Sequence, residues 1–150
     1  FKLFKFRSMI KNAEQQTGAI WASKEDDPRL TKTGKFIRKY AIDEIPQLIN
    51  ILRGDISIVG PRPERPELYK KFLKGNLPYE KRLNAPQGLT GLAQLLGSYD
   101  TLPKNKLRYD LLYIKNQSLC LDMKIISFSV LVTIIGNWQT DSRQWVKKFF

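Results

Sequence analysis

Between positions 43 and 63 the chain reads DEIPQLINILRGDISIVGPRP, and this stretch leaves its backbone few choices. Ile45, Leu48, Ile49 and Leu52 recur at i, i+3, i+4 and i+7, which is one face of an α-helix. Asp43 opens the predicted helix, Pro46 is tolerated in its first turn, and Gly54 stops it. Ile56 to Val59 then reads as a short strand that runs into Gly60-Pro61-Arg62-Pro63. There the two prolines hold extended backbone on either side of a single arginine.

Around this centre the signals are more ordinary. Phe1 to Met9, FKLFKFRSM, alternates large apolar and basic side chains with period two, predicting a half-buried strand with Lys5 and Arg7 on one face. Residues 11–33 are polar, and with Gly18, Pro28 and Gly34 as breakers they predict a loop or short irregular helix. From Lys35 to Tyr40 a short helix would turn Phe36, Ile37 and Tyr40 inward and leave Arg38 and Lys39 outward or toward a site. Pro66 opens a further helix to about Lys74, closed by Gly75.

Gly88 to Gly97, GLTGLAQLLG, suits close backbone approach in a buried turn or hairpin. Thr101 and Pro103 start a helix whose apolar stripe is Leu107, Leu111 and Ile114. The last element spans about Leu119 to Trp138, and its apolar run Ile125 to Ile135 falls short of the roughly 18 to 20 residues that cross a bilayer. It reads either as a core helix or as an interfacial one, the latter because Trp138, Trp145, Phe149, Phe150, Lys147 and Lys148 follow. The chain opens at Phe1 on the basic and aromatic stretch, which suggests a fragment whose membrane-inserted part lies upstream.

Composition narrows the chemistry. With 150 residues, one domain over 1–150 is expected, and 26 Lys and Arg against 14 Asp and Glu give a net charge of +12. Such a field attracts nucleic acid, anionic headgroups or a pyrophosphate, and does not choose among them. The single cysteine, Cys120, rules out an internal disulfide and any multi-cysteine zinc site. Histidine is absent, so no Ser-His or Cys-His pair and no His-ligated metal is available. Carboxylates must carry any acid, base or nucleophile chemistry, and a metal would be a hard cation on oxygen ligands.

Asp43 and Glu44 are the pair that fits. Adjacent carboxylates at a helix start meet the dipole and unpaired N–H groups, so Asp43 reads either as a helix cap or as part of a site that also holds a phosphate. Arg38 and Arg62 lie close enough in sequence to converge on such a site.

At this point the chain resembles a known family. KFRSM (Lys5 to Met9), DPRLTKTGKFIRK (Asp27 to Lys39), DEIPQLINILRGDISIVGPRP (Asp43 to Pro63), GLTGLAQ (Gly88 to Gln94) and LRYDLLYIKN (Leu107 to Asn116) occur in the order seen in the bacterial sugar transferases, monotopic polyprenyl phosphate phosphoglycosyl transferases. The resemblance covers the chain up to about Gly136. It implies an enzyme at the cytoplasmic face of the bacterial inner membrane that moves a sugar 1-phosphate from a UDP-sugar to polyprenyl (undecaprenyl) phosphate. UMP would be released, and glycan, capsule or exopolysaccharide assembly would begin.

It also implies an Asp43–Glu44 catalytic dyad, a covalent phosphosugar on Asp43, Mg²⁺ held by both carboxylates, and a membrane-embedded helix preceding the catalytic part. Lys5 and Arg38 fall at family positions associated with the active site, Arg62 in its Pro-Arg-Pro loop has a planar fork that suits a phosphate or a uracil edge, all three are candidates for binding substrate phosphate, and Arg7 and Asp110 are accessory candidates. For Asp110 a structural salt bridge is an equal reading. One departure is visible: where many relatives carry a basic residue ahead of GLTG, this chain has Ala85-Pro86-Gln87, so that contact does not carry over.

The expected fold is α+β and mainly helical, with a few short strands near the site and amphipathic interfacial helices. Two other readings use the same basic surface: a nucleic-acid-binding module, and a membrane-surface module without catalysis. The transferase reading expects a UDP-sugar, a polyprenyl phosphate and a membrane surface as partners, and no nucleic acid.

Overall fold

The computed structural model describes residues 1–13, 15, 27–75, 77–97, 102–136, 138 and 141–150. The expected α+β, mainly helical architecture is present. In chain order the helices are α1 (Lys32–Lys39), α2 (Gln47–Leu52), α3 (Pro66–Lys74), α4 (Leu92–Leu96), α5 (Pro103–Lys115) and α6 (Leu119–Ile135). Shorter 3₁₀ segments lie at Ile42–Glu44, Tyr79–Asn84 and Asp141–Phe149. Two strands, β1 (Ser57–Val59) and β2 (Gly88–Thr90), pair in parallel with Ser57 opposite Gly88 and Val59 opposite Thr90.

The core gathers where this small sheet meets α4, α5 and α6. Val59, Leu92, Leu95, Leu96, Tyr113, Ile125, Val132 and Val146 are buried together there. Polar ties lock the layers: the Thr90 and Ser129 hydroxyls meet at 2.6 Å, and the Tyr113 hydroxyl donates to Asp122 at 2.8 Å. Glycine makes the sheet possible, since a Cβ on Gly88 would stand 2.1 Å from the Gly60 backbone nitrogen. Backbone atoms cannot yield as a side-chain tip can, so Gly88→Ala should cost about 3 kcal/mol or more, read as a fall in Tm. An unchanged Tm would mean that the two segments separate freely.

Several sequence expectations need correcting. Residues 1–8 form no strand, and the only bridge among the described residues of that region pairs Met9 with Leu30. Their backbone is captured by other groups instead. The Phe4 N–H donates to Asn50 Oδ1 at 3.0 Å, Asn50 Nδ2 donates to the Lys2 carbonyl at 2.8 Å, and the Phe6 N–H donates to the Asp43 carbonyl at 3.0 Å. Phe1, Phe4 and Phe6 are all exposed, so the alternation buries no face.

α1 starts three residues before the expected Lys35, at Lys32, because Thr31 caps it by accepting from the Gly34 N–H at 2.8 Å. Gly34 is therefore no breaker. It lies inside the helix because a Cβ there would meet the Ser8 carbonyl oxygen at 1.9 Å. Phe36, expected inward, is exposed.

The stripe of α2 faces the opposite way from a core helix. Gln47 and Asn50 are fully buried, whereas Ile45, Leu48, Ile49 and Leu52 are exposed, Leu52 to 88%. The inward positions are polar because Asn50 serves the N-terminal segment and Asp55, to which its Nδ2 donates at 2.9 Å. Gly88 to Gly97 is neither turn nor hairpin but β2 followed by α4, with Gly91 as the N-cap. The tight packing expected of its glycines is present.

α3 runs from Pro66 to its Gly75 cap as expected, and Leu107 on α5 is buried. Thr101, the expected start of α5, and Gly18 lie outside the described residues. The described helix is preceded by Leu102. α6 ends at Gly136, which takes φ +71°. Ile125, Ser129 and Val132 form its buried face, while Met123, Val130, Leu131, Ile134 and Ile135 are exposed. The core reading thus holds for one face of α6 only. Among the described residues no helix is long and apolar enough to cross a membrane.

Candidate active site

The Asp43–Glu44 pair does not open an α-helix. It lies in the 3₁₀ turn Ile42–Glu44, entered through Ala41 with φ 53°. A non-glycine residue in the left-handed region costs on the order of 1 kcal/mol, and here it turns the chain sharply after α1. α2 begins only at Gln47, behind Pro46, with no side-chain cap. Asp43 is therefore not a helix cap, and no described residue hydrogen-bonds its carboxylate.

Glu44 is the hub. Lys5 Nζ lies 2.8 Å from Glu44 Oε1, and the Arg62 guanidinium forks onto both carboxylate oxygens, with Nη1 3.0 Å from Oε2 and Nη2 on Oε1. Burial by itself would raise the Glu44 carboxyl, but Arg62 and Lys5 outweigh it and hold it at about 2. Lys5 is brought here by the hydrogen bonds that pin Phe4 and Phe6 on either side of it. Arg62 arrives on the proline-flanked loop after β1, as its sequence setting predicts.

Asp43 is 7% exposed. Burial first, and then the negative charge of Glu44, raise its carboxyl above the usual range, while Lys5, Arg38 and Arg62 pull it back. Arg38 donates from Nε to the Ser8 hydroxyl at 2.8 Å. Asp43, Glu44, Lys5, Arg38 and Arg62 all line one groove of about 1350 Å³. This exceeds the roughly 300–1,000 Å³ typical of single-ligand pockets.

Of the accessory candidates, neither reaches the groove. Arg7 is exposed and absent from its lining, because residues 1–8 lack the regular alternation that would place it beside Lys5. Asp110 is 1% exposed and accepts from Arg82 Nε at 2.6 Å, so of its two readings the structural ion pair is the one found.

Arg82 is the residue sequence reasoning missed. It is 2% exposed, lies over the Tyr79 ring at 4.6 Å, and donates from Nη2 to the Arg62 carbonyl at 2.8 Å. A buried cation thus holds the backbone of the arginine that grips Glu44. Glu64 joins this support, with its carboxylate 4.0 Å from Arg82 Nη1 and paired with Lys106. No periodicity or motif marks Arg82, since a lone arginine in a 3₁₀ segment looks like a solvated charge. Arg82→Met should cost about 3–5 kcal/mol by leaving Asp110 buried without its cation, measured by denaturant melts. A loss below about 1 kcal/mol would show the network to be dispensable.

Among the described residues no group of three or more Asp, Glu or Cys gathers anywhere, and both Glu44 oxygens already accept from cations. The Asp43 carboxylate, free of described hydrogen bonds, is the one of the pair available to a hard cation.

Comparison with known proteins places this geometry in context. The bacterial sugar transferase family model matches residues 1–136. The UDP-glucose:undecaprenyl-phosphate glucose-1-phosphate transferase of Klebsiella pneumoniae is 44% identical over 143 residues, covering 90% of this chain and 30% of that protein. The UDP-N-acetylgalactosamine-undecaprenyl-phosphate N-acetylgalactosaminephosphotransferase of Aeromonas hydrophila is 42% identical over 140 residues, covering 90% of this chain and 32% of that protein. A galactosyl transferase of Streptococcus agalactiae is 40% identical over 146 residues, covering 91% and 32%. The chain spans about a third of the length of these relatives.

Proposed function

The chain belongs to the bacterial sugar transferase family, and from that premise we propose that it transfers a sugar 1-phosphate from a UDP-sugar to polyprenyl phosphate through a phosphosugar carried on Asp43. The observation that carries this reading is a groove-lining carboxylate without a hydrogen-bond partner among the described residues, set beside three cations, Lys5, Arg38 and Arg62. The named substrates of the relatives from Klebsiella pneumoniae and Aeromonas hydrophila, a UDP-sugar and undecaprenyl phosphate, support the same pairing.

In the first step an Asp43 oxygen attacks the sugar-bearing phosphorus. The bond from that phosphorus to the bridging oxygen breaks, and UMP leaves with the oxygen. The product on Asp43 is an acyl phosphate, which keeps enough transfer potential for a second displacement. A phosphate oxygen of the lipid then attacks the same phosphorus, the bond to Asp43 breaks, and its carboxylate is restored.

Phosphoryl transfer depends chiefly on positioning and charge neutralisation, which is what the cations provide. Arg38 faces the diphosphate from α1, and Glu44 orients Lys5 and Arg62 toward the same place. Asp43, beside Glu44, would hold the Mg²⁺ ion, which would supply further neutralising charge when bound. The apolar faces of α2 and α6 support seating at the cytoplasmic surface of a bacterial membrane.

The test is UMP release from a panel of UDP-sugars with Mg²⁺ by the protein in detergent, together with denaturing mass spectrometry of the Asp43 peptide. The expected result is release with one sugar nucleotide and a sugar-phosphate adduct on that peptide. Release without an adduct would remove the covalent step, and no release from any UDP-sugar would remove the function.

A further inference from the structure

The groove is lined by two unlike sets of side chains, and the donor accounts for only one of them. A nucleoside diphosphate sugar is polar throughout, apart from the faces of its base. Besides the cations, however, the lining includes Ile45 in the turn before α2, Leu48 of α2, Ile58 of β1, and Val130 and Ile134 of α6. They come from separate segments of the chain, and each is exposed, to between 49% for Ile58 and 70% for Ile134. Core packing does not require them, since α6 already buries Ile125, Ser129 and Val132 on its other face.

Exposed apolar surface of this extent on a chain of charge +12 marks a place where something apolar is bound. The same helices carry further exposed apolar residues outside the groove, namely Ile49 and Leu52 on α2 and Leu131 and Ile135 on α6. The apolar lining of the groove therefore belongs to helices that present such surface beyond it. Its occupant must be anionic at the end near Lys5, Arg38 and Arg62 and aliphatic along the rest.

We propose that Leu48, Ile58, Val130 and Ile134 form the track for the isoprenyl units next to the acceptor's phosphate. The inference rests on the transfer reaction above and adds the place where its lipid lies. Held there, the chain directs its phosphate toward the phosphorus on Asp43, and the acceptor is selected by chain as well as by headgroup. The outward stripe of α2 then has a use that a core helix would not give it.

The two displacements can be read separately, which makes the track testable. With the protein in detergent, the UMP burst without acceptor reports the first step, and turnover with acceptor reports the second. Leu48→Gln and Ile134→Gln change exposed positions and keep side-chain length. Each should raise the apparent KM for undecaprenyl phosphate about tenfold relative to its effect on the burst, while shifting the KM for a phosphomonoester of one isoprene unit less than about twofold. Leu119→Gln, on α6 but outside the groove, should leave the acceptor KM as it was.

An equal rise for long and short acceptors, or no rise for either, would overturn the track. So would loss of liposome flotation with unaltered acceptor kinetics in detergent, since the surface would then only seat the protein on a bilayer. Absence of a burst in the wild-type protein would instead overturn the reaction on which the track rests.

Discussion

Asp43→Asn is expected to abolish UMP release, with a loss on the order of 10⁴-fold or more, as for other enzymes deprived of their nucleophile. The folded protein should not suffer. The Asp43 side chain caps no helix and accepts no hydrogen bond from a described residue, and the Phe6 N–H bonds only its backbone carbonyl, so the amide breaks no contact there. Its carboxyl is raised by burial and by Glu44, so the folded state binds that proton more tightly than the unfolded chain does. A raised group contributes stability below its unfolded pKa and loses it as pH rises through the folded value. Once ionised, Asp43 therefore destabilises the fold, and asparagine removes that cost. The variant should melt no lower than the wild type while releasing no UMP. The same raised carboxyl predicts that wild-type turnover climbs with pH as Asp43 ionises, because only the anion attacks. An Asn variant that still turns over would take Asp43 out of the chemistry.

How far the sequence foretold this arrangement depends on where the deciding contact lies. α3 is legible because its start, Pro66, and its cap, Gly75, belong to the helix or directly adjoin it. The proline-flanked Arg62 is legible for the same reason. The strand expected at Phe1 to Met9 failed because alternation produces a strand only when a neighbour buries one face. Asn50, more than forty residues away, captures that backbone instead. α2 shows a different limit: its apolar period is legible and its direction is not, since period reveals that a helix has two faces and not which medium each face meets. Lys5, Arg38 and Arg62 converge as expected, Arg7 does not, and Arg82 entered only through a backbone carbonyl that no side-chain pattern encodes.

Removing the fork on Glu44 should be the second most damaging change. Arg62→Ala takes away two hydrogen bonds to Glu44 and a cation that faces the same groove, and kcat/KM should fall on the order of 10² to 10³-fold. Arg62→Lys should recover little of this, because an ammonium restores the charge but not the planar fork. The stability cost should be about 2 kcal/mol, below the value for a fully buried pair because these side chains are 24% and 19% exposed. This cost carries a pH signature. Glu44 ionises at about 2 in the folded protein, against 4.5 for an ordinary glutamate, so its stabilising contribution is complete above the ordinary value and fades as pH falls toward the folded one. Without Arg62, burial is opposed by Lys5 alone, and the carboxyl moves upward. The Tm difference between wild type and Arg62→Ala should therefore be large at pH 7 and shrink steadily below about pH 4.5. A difference that holds constant down to pH 2.5 would mean that Arg62 stabilises the loop by packing, and that its grip on Glu44 is not what orders the site.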